Sequence, residues 1–174
     1  MQRVVLSAAV AALAVAAAGC GSGGKSSCPS GGTRPVSHAG AQEMRYLTGV
    51  AVSQTDCADR VEFAFEHGVP GYRVAYADAA RAQTEDASGR HISVSGSAFI
   101  VVRLAGALTA RSDGSSLTRT YDGPRRVSGG HAEHVREVVK TGDFEAVVTW
   151  AIGVDGKRAF TVSSSGDSLA VEIG

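Results

Sequence analysis

Alternation of apolar and polar side chains dominates the chain from about residue 42 onward. In Val61-Glu62-Phe63-Ala64-Phe65-Glu66, the side chains of Val61, Phe63 and Phe65 share one face while Glu62 and Glu66 point away, the period of a half-buried strand. Tyr72, Val74 and Tyr76 alternate with Arg73 and Ala75; Phe144, Ala146, Val148, Trp150 and Ile152 with Glu145 and Thr149; Leu169, Val171 and Ile173 with Ala170 and Glu172. Ala98 to Leu104 and Val147 to Val154 are more continuously apolar, which suits central strands. Turn chemistry punctuates these runs at Gly68-Val69-Pro70-Gly71, Ser112-Asp113-Gly114, Asp122-Gly123-Pro124, Gly142-Asp143, Asp155-Gly156 and Ser165-Gly166-Asp167. Asp155-Gly156, between Ile152-Gly153-Val154 and Phe160-Thr161-Val162, is the clearest hairpin turn of the set. Short strands at this spacing predict an all-β fold, a two-sheet sandwich of short antiparallel strands.

Two stretches depart from the pattern. Ala77 to Ala87 is alanine-rich and charged and is expected to hold a short helical turn. In His131 to Thr141, Val135, Val138 and Val139 fit helical spacing with Gly142 as a stop, while Val135, Glu137 and Val139 also alternate; strand is the favoured reading.

The first residues have a different character. Arg3 is followed by an uncharged, mostly alanine run from Val4 to Ala18 that is too short to cross about 30 Å of hydrocarbon and reads as a secretory signal. Ala17-Ala18-Gly19-Cys20 resembles the bacterial lipobox, which implies cleavage before Cys20 and lipidation of its thiol. Two or more acyl chains suffice for stable anchoring. The chain then divides into a signal at 1–19, a Gly/Ser-rich flexible tether at 20–41 and one domain at 42–174.

Charge excludes one class of partner. The formal net charge is 0 and falls by one when Arg3 leaves with the signal, so no basic excess is available for nucleic acid. Arginine far outnumbers lysine and asparagine is absent, a bias expected of a GC-rich genome. With Cys20 assigned to lipid, Cys28 and Cys57 remain as a pair in an oxidising compartment and are expected to form a disulfide.

Asp59-Arg60-Val61-Glu62-Phe63, Pro70-Gly71-Tyr72-Arg73-Val74, Gly96-Ser97-Ala98-Phe99, Gly123-Pro124-Arg125-Arg126, Arg136-Glu137-Val138-Val139, Gly142-Asp143-Phe144-Glu145 and Val147-Val148-Thr149-Trp150 resemble, in order and spacing, the AMIN-like domain of actinobacterial lipoproteins. The resemblance covers roughly residues 46 to 174. It implies a sandwich related to the AMIN modules that direct cell-wall amidases and secretin components to the envelope, with peptidoglycan as the expected ligand. The serine-rich end, Ser163 to Leu169, lacks the proline turn expected before the last strand.

No catalytic constellation accompanies the resemblance. His131, Glu133 and His134 have no helical His-Glu-x-x-His pattern and read as loop residues rather than metal ligands. Ser95-Gly96-Ser97 and the serines at 163–165 form no nucleophile elbow, and Glu85-Asp86 sits in a polar loop. Arg60, Arg73, Arg125 and Arg126 are the candidates for holding carboxylates of a ligand. Tyr72, Tyr76, Tyr121 and Trp150 are candidates for stacking on sugar rings, although alternation also makes Tyr72, Tyr76 and Trp150 core candidates and Asp59-Arg60 can simply pair with neighbouring loops. The expected function is therefore a non-catalytic, cofactor-free and metal-free module. It is anchored by Cys20 to the extracytoplasmic face of the membrane and binds peptidoglycan or a wall-associated protein. The alternative is a small-ligand or lipid carrier with a cavity between its sheets.

Overall fold

A computed structural model describes residues 30–40 and 42–174. The signal, Cys20 and Cys28 lie outside the described residues. The first sheet contains β1 (Val36–His38), β4 (Gly71–Ala77), β5 (Ala98–Ala105), β9 (Arg126–Ser128), β10 (Val135–Phe144) and β11 (Val147–Val154), in the order β1-β4-β5-β11-β10-β9. The second contains β2 (Arg45–Gln54), β3 (Asp59–Glu66), β6 (Ala107–Leu108), β12 (Phe160–Ser165) and β13 (Ser168–Ile173), in the order β12-β13-β3-β2-β6. A separate ribbon pairs β7 (Ala110–Ser112) with β8 (Leu117–Arg119). The helical turn expected between 77 and 87 is α1 (Ala79–Ala82), capped by Asp78, whose carboxylate accepts from Arg81 N at 2.7 Å.

The period-two faces meet as the sequence pattern requires. Val61, Phe63, Leu169, Val171 and Ile173 from the five-stranded sheet face Val74, Ile100, Val102, Val148, Trp150 and Ile152 from the six-stranded sheet, all fully buried. At the centre Phe63 and Trp150 meet edge to face, with ring centroids 6.0 Å apart. Burying side chains of this size stabilises by roughly 1.5–3 kcal/mol each. A carrier would need an open volume here, and side chains occupy it.

Central strands β5 and β11 are covered twice. Their outward residues Phe99 and Ala151 join Ala82, Val94 and Val139 in a second apolar cluster beneath α1 and the segment that follows it. Gly153 lets that segment lie flat on the sheet, because a Cβ there would stand 1.9 Å from Ser95 O. This double coverage accounts for the continuous apolar character of Ala98–Leu104 and Val147–Val154.

Residues 131–141 resolve as loop followed by strand, with β10 beginning at Val135. Three expectations are corrected. Gly142-Asp143 is no turn but continues β10, paired with Thr149 and Val148. The reversal falls on Glu145-Ala146, at φ +51° and +57°, so the alternation from Phe144 to Ile152 is broken by a two-residue hairpin. That left-handed geometry matches strand twist, and the absence of glycine hid it. Asp155-Gly156 is no hairpin either, since β11 and β12 belong to different sheets and the segment crosses between them.

The third correction concerns the tether. Phe160 N donates to Gly32 O at 2.9 Å and β1 pairs with β4, so residues 31–38 run from one sheet to the other and close that side of the sandwich. A Cβ on Gly31 would stand 2.1 Å from Phe160 O. The glycines here serve close backbone approach rather than flexibility. At the C-terminal end Gly166-Asp167, with Gly166 at φ +56°, turns β12 into β13 in place of the expected proline. Cys57, half-buried before β3, is not a free thiol.

Candidate functional site

The β7–β8 ribbon is a separate two-stranded sheet beside the end of β10, and β9 covers β10 only from Glu137 to Val139. Between the ribbon, the uncovered end of β10, the Tyr121–Arg125 loop and the loop at Glu85–Ala87 lies an open cleft of about 540 Å³. Two of its walls are apolar side chains facing water: Leu117 on β8, 72% exposed, and Phe144 at the end of β10, 55% exposed. Tyr121 lines it from beneath. Its ring stacks edge-on against Trp150 at 5.6 Å and its hydroxyl donates to Pro124 O at 2.8 Å.

The acids of the cleft are neutralised within the protein. Glu85 accepts from Ser88 Oγ at 2.5 Å, from Arg125 at 2.5 Å and from Arg90 at 2.7 Å. Those donors, the Ser88 hydroxyl foremost, hold its carboxyl down to about 2. Asp86 accepts from Thr149 Oγ1 at 2.6 Å and pairs with Arg81 at 3.4 Å. Asp143 pairs with Lys140 at 2.8 Å and accepts from Thr109 Oγ1 at 2.6 Å. The side chain of Arg119, on exposed β8, makes no ion pair or hydrogen bond among the described residues. A ligand entering the cleft meets two apolar faces and one free guanidinium.

Of the residues nominated from sequence, the cleft brings together Tyr121 and Arg125. Arg125 spans Lys140 O at 3.0 Å and Glu85. The others lie elsewhere. Trp150 is fully buried, with no partner for its indole N–H, and has no face to offer a sugar. Tyr72 and Tyr76 are half-buried against the core. The Tyr76 hydroxyl donates to Arg158 O and accepts from Arg158 N, each at 2.8 Å, and burial raises its pKa. Arg60 is held between Glu62 at 3.1 Å and Glu172 at 2.9 Å. Arg73 stands exposed on β4.

Arg126 has a structural role. It pairs at 2.5 Å with Glu137, which is 7% exposed, and donates to Ser93 O at 2.9 Å. Burial pushes the Glu137 carboxyl up, and Arg126 with Ser95 N–H reverses this, so it lies below the ordinary range. Asp59, nominated only as a pairing residue, is buried and accepts from the backbone N–H of Glu133, His134 and Val135 at 2.9, 2.6 and 2.7 Å. It fixes the loop that holds His131, Glu133 and His134. No group of three or more potential metal ligands occurs among the described residues.

The sequence pattern does not single out Leu117, Arg119 or Phe144. Leu117 and Arg119 lie on a three-residue strand too short to show a period. Phe144 falls on the apolar face of an alternation that the hairpin interrupts.

A family model described as the AMIN-like domain matches residues 45–173. No curated protein and no solved structure matches the chain.

Proposed function

The chain belongs to the AMIN-like domain family, and from that premise we propose that it is a non-catalytic binding module of the cell envelope, anchored through lipid on Cys20, whose cleft takes a group of cell-wall peptidoglycan. One observation carries the reading: Leu117 and Phe144 are exposed in the walls of the cleft while the guanidinium of Arg119, on β8 with Leu117, has no partner among the described residues. Apolar walls with one free guanidinium complement a ligand that carries a carboxylate beside a sugar face or aliphatic chain, as a peptide-bearing wall glycan does. Binding rather than catalysis is supported by the same geometry, because the cleft's carboxylates are engaged with arginine, lysine and hydroxyl donors. An anchored domain meets the wall at high effective concentration, so a weak site suffices.

The test is co-sedimentation of the full chain with purified peptidoglycan, comparing wild type with the Arg119→Ala, Phe144→Ala double variant. Both side chains are exposed, so thermal stability should hold while retention falls about tenfold. Undiminished retention removes the cleft from the site. Wild-type chain that stays in the supernatant refutes peptidoglycan as the ligand and favours a protein partner.

A further inference from the structure

Most arginines in the fold have carboxylate partners, and two that do not stand side by side. Arg73 on β4 and Arg103 on β5 are directly opposite in the antiparallel register, so their side chains share the outer face of the six-stranded sheet. Both are exposed, and neither side chain has an ion pair or hydrogen bond among the described residues. Like charges directly opposite destabilise a strand pair, and no carboxylate among the described residues pairs with either arginine. Their row continues through Ser37 on β1 and Thr149 on β11. The next row on the same face is Gly71, Ala105 and Val147, leading to Phe144 in the cleft wall.

We propose that Arg73 and Arg103 form an anion-binding subsite, separate from the cleft, for the phosphate groups of a phosphodiester-linked polymer of the envelope. A planar carboxylate directs both oxygens at one guanidinium fork. Two guanidiniums on adjacent strands instead match a tetrahedral phosphate, whose oxygens diverge and accept from both sides. Of the flanking residues, Gly71, Ala75 and Ala105 are small and Val101 is half-buried in the second cluster, so the site is open and suits an extended chain lying across the sheet. Charge complementarity selects the occupant: the pair carries two positive charges, and the nearest acid by register, Asp86 on Thr149, is already paired with Arg81.

The experiment compares sedimentation of the full chain with native cell walls and with walls stripped of phosphodiester polymers by hydrofluoric acid. Stripping should lower retention of wild type about tenfold and leave the Arg73→Gln, Arg103→Gln variant unchanged, the variant binding native walls no better than stripped ones. Its thermal midpoint should be equal to or above that of wild type, since a repulsion has been removed. Equal retention of wild type on both wall preparations overturns the proposal, as does a variant that still distinguishes them. Release of wild type from native walls by millimolar inorganic phosphate, with stripping having no effect, identifies a free-phosphate site instead and also overturns it. Retention on stripped walls reports the cleft alone, so the two sites fail independently.

Discussion

Replacing Arg126 by alanine tests whether an exposed arginine can hold a buried acid in place. Glu137 is 7% exposed, and without Arg126 its carboxylate keeps the Ser95 N–H as its partner. Removing one member of a fully buried pair costs about 3–5 kcal/mol. Arg126 is itself 47% exposed, so water screens the pair, and the surviving N–H bond reduces the loss further, to about 2 kcal/mol. For a domain of this size the entropy of unfolding converts that to a fall in thermal midpoint of roughly 6–7 °C. The pH dependence is diagnostic. In wild type the Glu137 pKa lies below 4.5, so its contribution is present above that value and lost as pH falls through the folded pKa. In the variant only the Ser95 donors oppose burial, so the pKa moves up from its wild-type position and the gap between the two proteins widens from acid to neutral pH. Circular dichroism melts from about pH 3 to pH 7 measure it, and adding Glu137→Gln should recover most of the loss at neutral pH. An unchanged midpoint at neutral pH, or a deficit that does not vary with pH, refutes the reasoning.

Asp59→Asn places an amide where three backbone N–H groups converge, and should cost about 2–3 kcal/mol in urea unfolding; a change under about 0.5 kcal/mol contradicts the clamp. Ala146→Gly relieves a left-handed φ of +57° and should stabilise by about 0.5–1 kcal/mol in the same assay. Cys20→Ser should move the protein from the membrane fraction to the medium, and retention in the membrane argues against lipid anchoring. Non-reducing peptide mapping should join Cys28 to Cys57, whereas two alkylatable thiols in folded protein exclude that bridge.

The all-β class, the inward faces of β3 and β13, the central position of β5 and β11 and the short helical turn after β4 were all legible in the sequence. Each is written in neighbouring residues, because a strand's period is two and a one-residue shift exposes its whole apolar face. The choice between helix and strand for β10 also yielded to alternation, although the tertiary contacts decided where the strand ended. What the sequence left open depends on partners distant in the chain. Glu145-Ala146 carries no glycine, and its left-handed turn exists because β10 and β11 are held in register by the sheet on either side. Gly31-Gly32 has the composition of a linker, yet packs against Phe160 near the other end of the chain. Arg125 and Arg126 are adjacent and alike in sequence, but one reaches Glu85 in the cleft and the other seals Glu137 under a loop. Local pattern determined which face of each strand turns inward. Only the packed sandwich determined which arginines are paired, which are left free, and so where a ligand can be held.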